Sequence, residues 1–260
     1  MPVPDLALLE DAAREAGDVA LGFTGTAPNK TWDKPDDLGP VTEADLAVNA
    51  ILEERLRSAR PDYGWLSEET PDTEARLACH RTFIIDPIDG TRSFIEGSGT
   101  WAHSIAVAEE GVPVAAVVYL PARDLMFAAA AGQGATLNGA PIRPTMHPTL
   151  EGASVLAARP GFSPEHWQDG IVPTLTRAHR PSLAYRLAIV AQGRFDAMFT
   201  LRPTWEWDIA AGDLILREAG AITSDRAGAP LRFNNPHPQV NGVVAANPAL
   251  HAALRTALVY

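Results

Sequence analysis

The spacing of apolar residues predicts two amphipathic helices near the start of the chain. Over residues 5–22, apolar side chains recur at the helical steps of three and four, at Leu6, Leu9, Ala13, Ala16 and Ala20. A second helix is expected to open at Thr42 or Asp45 and to stop before Pro61. Residues 23–40, which hold Gly, Pro, Asn and Asp, are predicted to form a loop or hairpin.

The middle of the chain has strand character. Residues 82–85 form a continuous apolar run that ends at Asp86 and Pro87, which predicts a buried strand terminated by the proline. Asn138-Gly139 predicts a tight hairpin turn. Further strands are expected at 63–66, 102–108, 113–120 and 125–130. Residues 113–120 and 125–130 are expected to be strands of the same antiparallel sheet, separated by a turn at residues 120–124.

The second half mixes both kinds of element. Strands are expected at 153–158, 195–199 and 242–246, and helices at 163–178, 182–193, 208–219 and 248–257. Because strands and helices do not alternate in a regular βαβ rhythm, the pattern favours an α+β layered protein over a doubly wound parallel sheet. We expect a single domain over residues 1–260.

Composition narrows the function. The 260 residues carry a formal net charge of −11, so a nucleic-acid polymer would be repelled, whereas a small phosphate is acceptable if metal cations intervene. The single cysteine excludes an intramolecular disulfide. No run of about 18 apolar residues predicts a membrane span, and the first residues do not resemble a signal peptide. We therefore expect a cytoplasmic protein that does not bind membranes.

The residues from Asp86 to Thr91 carry the most informative chemistry. Asp86 and Asp89 lie three apart around a predicted turn, where two carboxylates can converge on one point. Their repulsion would favour a hard divalent cation, which prefers oxygen ligands. The backbone N–H groups of Gly90 and Thr91 would then face an anion. The alternative is an ordinary turn in which each aspartate caps its own backbone.

Three other acidic stretches have simple explanations when taken alone. Asp208 precedes an apolar helix and suits an N-cap. The paired acids Glu68 and Glu69 suit a solvated loop, and the segment from Thr42 to Asp45 suits a helix cap. Each stretch leaves both interpretations open.

Together the four stretches resemble the inositol monophosphatase superfamily, the lithium-sensitive, metal-dependent phosphatases. The match comprises D-P-x-D-G-T at residues 86–91, W-D-x-A-A-G at 207–212, a G-E-E-like loop at 67–69 and V-T-x-x-D at 41–45. The resemblance extends over about residues 5–257. It implies a layered αβαβα sandwich of the inositol monophosphatase/fructose-1,6-bisphosphatase type, commonly a homodimer. It also implies two subdomains, roughly 1–145 with the metal and phosphate site and 146–260 supplying Asp208.

The resemblance assigns roles to individual residues around two or three Mg²⁺ ions. The implied metal ligands are Glu68, Asp86, the carbonyl of Ile88, Asp89 and Asp208. Thr91 and Asp45 resemble the pair that orients and deprotonates the attacking water, beside Glu68. The phosphate would lie against Asp89, Gly90 and Thr91. The implied activity is hydrolysis of a small phosphorylated metabolite by metal-activated water.

Departures from the family pattern bear on the substrate. Ser67 replaces the usual glycine, and residues 200–202 lack the acid with which inositol monophosphatases grip a substrate hydroxyl. The run Pro203 to Asp208 instead resembles the P-T-x-E-W-D of the 3′(2′),5′-bisphosphate nucleotidase branch. The candidate substrate residues are Ser182, Arg186, Arg202 and Glu206, with the two arginines suited to a second phosphate.

Several alternatives stay open on the sequence. Residues 181–185 only partly match the nucleotidase branch, so a nucleotidase is expected slightly ahead of an inositol-1-phosphate phosphatase, with a histidinol-phosphate phosphatase third. A haloacid-dehalogenase phosphatase would use an aspartyl-phosphate, but its two aspartates are two apart and near the N-terminus. A metal-binding regulatory protein without turnover is the non-enzymatic alternative.

Overall fold

Helices and strands are interleaved throughout the computed structural model, which describes residues 4–25, 30–34 and 39–259. The helices are α1 (Asp5–Gly22), α2 (Glu43–Ala59), α3 (Thr91–Ile95), α4 (Leu183–Ala191), α5 (Ala210–Ala219) and α6 (Pro248–Ala257). The strands are β1 (Thr31–Asp33), β2 (Pro40–Thr42), β3 (Gly64–Ser67), β4 (Arg81–Asp89), β5 (Ala102–Glu109), β6 (Val112–Leu120), β7 (Leu125–Ala130), β8 (Ala135–Leu137), β9 (Ala140–Pro141), β10 (Ser154–Leu156), β11 (Thr176–Ala178), β12 (Ala197–Thr200), β13 (Thr204–Trp205), β14 (Ile222–Ser224), β15 (Gln239–Val240) and β16 (Val243–Ala246).

Two sheets and three helical layers make up the architecture. The large sheet has the strand order β3-β4-β5-β6-β7-β8-β9, and only its β3–β4 pair is parallel. The smaller sheet has the order β11-β10-β12-β16-β14. Helices α1 and α2 pack on one face of the large sheet, α4 and α5 lie between the sheets, and α6 covers the far side. The result is an αβαβα sandwich, which confirms the predicted α+β fold class.

Alternation along the large sheet explains why it is buried on both faces. Phe83, Ile85 and Val107 pack with the residues of α1 and α2, whereas Ile84 and Ala106 pack with those of α4 and α5. Successive side chains of a strand point to opposite faces. Each face is apolar, so the sheet carries the continuous hydrophobic pattern that the sequence shows.

Most predicted elements are present, but the helix predicted over 163–178 is wrong. Two short 3₁₀ turns, Pro164–His166 and Gln168–Gly170, are followed by β11. Pro173 lies within the predicted span and cannot donate a backbone hydrogen bond, and Asp169 has a left-handed φ of 54°. The apolar residues of this segment do not lie on one face of a helix, and Trp167 among them is buried in short turns.

Two other predictions need adjustment. Pro87 does not end its strand, because β4 continues to Asp89 with a register shift between Asp86 and Asp89. The predicted loop or hairpin at 23–40 contains β1, which pairs antiparallel with β2 starting at Pro40, although residues 26–29 and 35–38 lie outside the described part. No described helix is long and apolar enough to cross a membrane. The division into subdomains at about residue 145 stays a prediction.

The close approach of α4 and α5 depends on Gly212. A Cβ atom at this position would lie 2.5 Å from Leu187 Cδ1 and 2.6 Å from Leu187 Cβ. We predict that Gly212→Ala lowers the free energy of unfolding by about 1–3 kcal/mol, the usual cost of overpacking a core. Urea denaturation followed by circular dichroism measures the change.

Gly22, the last residue of α1, supplies the matched control. A Cβ atom there would meet nothing within 4 Å. Gly22→Ala should therefore leave stability unchanged or raise it slightly, because alanine has less backbone freedom to lose on folding. Equal stabilities for Gly212→Ala and Gly22→Ala would contradict this description of the α4–α5 contact.

Candidate active site

The parallel pair β3–β4 delivers acidic residues to one edge of the large sheet. Ser67 is in register with Ile85, and the N–H of Glu68 donates to the carbonyl of Ile85 over 3.1 Å. Parallel strands present their carboxyl ends at the same edge. Glu68 and Asp86 therefore emerge side by side.

Asp208 reaches the same point from the other half of the chain. One carboxylate oxygen from each of Glu68, Asp86 and Asp208 lies within 4.8 Å of the other two. Asp208 was a candidate helix cap, but the N-cap position of α5 is Ile209, and it makes no side-chain capping bond. No hydrogen bond from the described residues reaches the Asp208 carboxylate. Its charge is therefore left to face the other two acids.

Burial and repulsion act together on these carboxyl groups. Desolvation, followed by the charges of Glu68, Asp89 and Asp208, raises the pKa of Asp86 well above its ordinary value. Desolvation, Asp89 and Glu68 do the same to the pKa of Asp208. Arg202 and Lys34 lower the pKa of Asp208 but do not cancel these effects, so the ionised acids are only partly compensated.

Asp89 lies beside this cluster and is anchored by the N-terminus of α4. Its Oδ2 accepts hydrogen bonds from Ser182 Oγ and from the N–H of Ala184, each over 2.6 Å. Desolvation raises the pKa of Asp89 to about 6, although these bonds and Arg186 oppose the shift. The anchoring fixes one oxygen of Asp89 and leaves the other available for a ligand.

The turn between β4 and α3 is shaped by Gly90 and by a buried histidine. Gly90 has φ 99°, and a Cβ atom would approach Thr100 O to 3.4 Å and Ser182 Cβ to 3.5 Å, so this position favours glycine. Nδ1–H of His103 donates to the carbonyl of Pro87. Burial lowers the pKa of His103 to about 4, so the ring is neutral and serves to hold the turn.

Thr91 and Asp45 meet at the side of the cluster. Thr91 Oγ lies 3.1 Å from both Asp45 Oδ1 and the carbonyl of Ile88, and it donates to one of them at a time. The other oxygen of Asp45 accepts from the N–H and the hydroxyl of Thr42, which completes a capping box on α2. Desolvation raises the pKa of Asp45. The capping function expected for Asp45 and its contact with Thr91 thus coexist in one side chain.

Lys34 also contributes a charge to the site, and the sequence alone does not predict this. Its Nζ lies 2.7 Å from Glu68 Oε1 and 2.5 Å from Glu69 Oε1, and its side chain is only 12% exposed. Desolvation and Glu68 raise the pKa of Glu69 to about 7, against the effect of Lys34. A lone lysine in a loop 34 residues from its partner gives no sequence signal, so only folding identifies the contact.

A cavity of about 520 Å³ opens beside Asp89 and Asp208. Arg186 and Arg202 line it, together with His166, His179 and the apolar side chains of Leu183 and Phe199. Arg186 is braced by the carbonyl of Arg180 and by His179 Nε2, which lies 2.8 Å from its Nη2. Arg202 is exposed and its carbonyl accepts from Thr204 Oγ1 over 3.0 Å, whereas its guanidinium makes no hydrogen bond or ion pair with the described residues. Among the lining residues that the structure describes, Asp89 and Asp208 are the acids, and Arg186 and Arg202 carry the positive charges.

Two predicted substrate residues lie outside this cavity. Ser182 is fully buried, caps α4 by accepting from the N–H of Tyr185, and donates to Asp89. Glu206 is also fully buried, and its carboxylate accepts from Asn234 N and from both nitrogens of Asn235 over 2.6–3.0 Å. Their hydrogen-bonding capacity is used inside the fold, so we assign Ser182 and Glu206 to positioning rather than to substrate contact.

Comparison with known proteins identifies the family. The model of the "Inositol monophosphatase family" matches residues 4–259. This chain belongs to that family.

Relatives within the family carry different names. Nus factor SuhB of Escherichia coli K12 is 32% identical over 96% of this chain and 94% of its own length. The 3′(2′),5′-bisphosphate nucleotidase CysQ of Salmonella typhimurium is 34% identical over 85% of this chain and 90% of its own. The solved IMPase of Thermotoga maritima superposes with a TM-score of 0.81 at 27% identity, covering 96% and 94% of the two chains. The haloacid-dehalogenase alternative is thereby set aside.

The donor set fits the hard divalent cation that family membership implies. Glu68, Asp86 and Asp208 offer carboxylate oxygens at one point, and these acids repel one another without a cation. The carbonyl of Ile88 lies in the turn that follows Asp86. Mg²⁺ binds such oxygen ligands in preference to nitrogen or sulfur. The acidic cluster is therefore a candidate metal centre of this inositol monophosphatase family member.

The raised pKa of Asp208 makes a prediction for the metal-free protein. A carboxyl group whose folded pKa exceeds its unfolded value contributes stability at low pH, and this contribution is lost as pH rises through the folded pKa. Asp208→Asn removes the charge. After treatment with EDTA, we predict that the variant is more stable than wild type by about 1–3 kcal/mol at pH 8, with little difference at pH 4.

Urea denaturation of both proteins over this pH range measures the difference. Buried His103 and His251 also titrate, but they are common to both proteins and cancel. Excess Mg²⁺ should reverse the order at pH 8, because metal binds only the ionised wild-type cluster. A variant that is less stable than metal-free wild type at pH 8 would contradict the proposed repulsion.

Proposed function

We propose that this protein is a magnesium-dependent phosphomonoesterase that hydrolyses a small phosphorylated metabolite by metal-activated water. The observation that carries the proposal is the convergence of Glu68, Asp86 and Asp208 beside the Thr91–Asp45 pair. Phosphoryl transfer needs charge neutralisation and in-line positioning more than a covalent nucleophile. Such a site would meet both requirements, with the metal neutralising charge and the surrounding residues positioning the reactants.

In the proposed mechanism, the metal ions would be held by the carboxylates of Glu68, Asp86, Asp89 and Asp208 and by the carbonyl of Ile88. Bound Mg²⁺ would lower the pKa of a water molecule and stabilise the leaving oxygen. Thr91 Oγ would orient the attacking water and take its proton while giving its own to Asp45, whose raised pKa suits a general base. The turn from Asp89 to Thr91 positions the phosphate, aided by the N-terminal N–H groups of α3.

The substrate we favour carries a second anionic group. Arg186 and Arg202 line the cavity next to Asp89 and Asp208, and a planar guanidinium suits a phosphate. The segment 200–202 at the cavity wall contains no acid that would accept a substrate hydroxyl. These observations favour a 3′(2′),5′-bisphosphate nucleotidase over an inositol-1-phosphate phosphatase, and CysQ carries the former name. Histidinol phosphate is the third candidate.

The similarity to Nus factor SuhB supports a second candidate function. In this alternative the protein is a metal-binding regulator, and its partner is bound without turnover. The two functions differ in one measurement, because the regulator binds the metal but releases no phosphate. We also expect a homodimer, and analytical ultracentrifugation tests that expectation separately.

We predict that Asp89→Asn lowers Mg²⁺-dependent phosphate release by roughly 100-fold or more, because it removes a metal-binding charge. The amide oxygen can still accept the bonds from Ser182 and Ala184, so the fold should be retained. The assay measures phosphate released from adenosine 3′,5′-bisphosphate, inositol 1-phosphate, histidinol phosphate and fructose 1,6-bisphosphate.

Asp124→Asn is the control for this experiment. Asp124 is exposed and has φ 50°, a conformation that asparagine tolerates. It should keep wild-type turnover. Unchanged turnover in Asp89→Asn, or equally weak release from all four substrates by the wild-type protein, would overturn the proposed function.

A separate prediction addresses the second anionic group. Arg202→Gln should raise KM for adenosine 3′,5′-bisphosphate about 10-fold, as expected when a charge-assisted hydrogen bond is lost, and should leave KM for inositol 1-phosphate unchanged. Steady-state kinetics with both substrates measure the two values. Arg143→Gln, an exposed arginine outside the cavity, should alter neither. A similar rise of KM for both substrates would argue against a second-phosphate contact.

A further inference from the structure

The segment that carries Asp208 is fastened at several points. Strand β13 pairs antiparallel with β15, and the N–H of Glu206 donates to the carbonyl of Pro238 over 3.0 Å. The Glu206 carboxylate is held by Asn234 and Asn235, as described above. All of these bonds come from the 234–240 region.

One bond joins this segment directly to the large sheet. Ser104 Oγ donates to the carbonyl of Trp207 over 2.7 Å. Ser104 is fully buried on β5, and its register partner across the β4–β5 ladder is Asp86. The Ser104 hydroxyl thus connects the strand position paired with Asp86 to Trp207, the residue that precedes Asp208.

The direction of the Asp208 side chain depends on the position of its backbone. Its carboxylate receives no hydrogen bond from the described residues, and α5 begins only at Ala210. The position of the Trp207 carbonyl therefore controls where the Asp208 side chain starts. Metal affinity is sensitive to such outer contacts, because they fix the ligands in place before the cation arrives.

We propose that Ser104 is a positioning residue that sets the separation of Asp208 from Asp86 and thereby the affinity of the cluster for a divalent cation. The proposal rests on the proposed function for the identity of the metal ligands. Ser104 itself contacts neither the metal nor the substrate. Its hydroxyl acts through the Trp207 carbonyl alone.

The test is Mn²⁺ binding to the EDTA-stripped full-length protein, measured by electron paramagnetic resonance of free Mn²⁺. Ser104→Ala should weaken binding roughly 10- to 100-fold, the range found when an outer-shell partner of a metal ligand is removed. Ser104→Cys, kept reduced, fills the site with a somewhat larger group but donates weakly. It should weaken binding nearly as much as Ser104→Ala does.

Ser224→Ala is the matched control. Ser224 is likewise a buried strand serine, and its hydroxyl donates to a carbonyl, that of Asp225, over 2.9 Å, while also lying 2.9 Å from His251 Nε2. It lies on β14 of the smaller sheet, so Mn²⁺ affinity should equal that of wild type. Thermal denaturation without metal shows whether the two alanine variants lose comparable stability.

The outcomes separate this inference from the proposed function. If wild type binds no Mn²⁺, or if Asp208→Asn binds it as tightly as wild type, the metal centre itself fails. If wild type binds and Asp208→Asn does not, but Ser104→Ala matches Ser224→Ala, the role of Ser104 fails. Wild-type affinity in Ser104→Cys would show that the side chain fills space, which would also overturn the inference.

Discussion

Electrostatic repulsion among the carboxylates of Glu68, Asp86 and Asp208 is the interaction on which the rest of this account depends. Their oxygens lie within 4.8 Å of one another at the edge of the large sheet, where burial weakens the screening that water provides. A protein keeps such an arrangement at a cost in stability, and a divalent cation removes that cost. Lys34 offsets part of it by neutralising Glu68 and Glu69.

The remaining structure holds the acids against this repulsion. The parallel β3–β4 pair supplies two of them, and the N-terminus of α4 fixes Asp89 through Ser182 and Ala184. Asp208 comes from the segment between β13 and α5, which the 234–240 region holds. The layered sandwich therefore brings acids 140 positions apart in sequence, Glu68 and Asp208, to one place.

Local patterns were sufficient to predict much of this fold, and the reasons are physical. The regular apolar spacing of α1 and the uninterrupted apolar run of β4 each give a strong signal, because burial on one or two faces leaves a periodic pattern. The helix prediction for 163–178 is wrong because periodicity does not distinguish a helix from short turns whose apolar residues include the buried Trp167. Motifs predict the acids of the site, whereas their convergence is a tertiary property. Lys34 and the Ser104–Trp207 bond leave no local pattern, and the burial of Ser182 and Glu206 could be learned only from packing.

The most direct test of this account is the anomalous scattering of Mn²⁺ in crystals of the protein grown or soaked with the metal. The account predicts anomalous peaks enclosed by the carboxylates of Glu68, Asp86 and Asp208, with Asp89 and the Ile88 carbonyl turned toward the same ions. The ammonium group of Lys34 should have moved away from Glu68 to admit them. Crystals without a peak at this cluster, or with Mn²⁺ bound only elsewhere on the surface, would contradict the central claim.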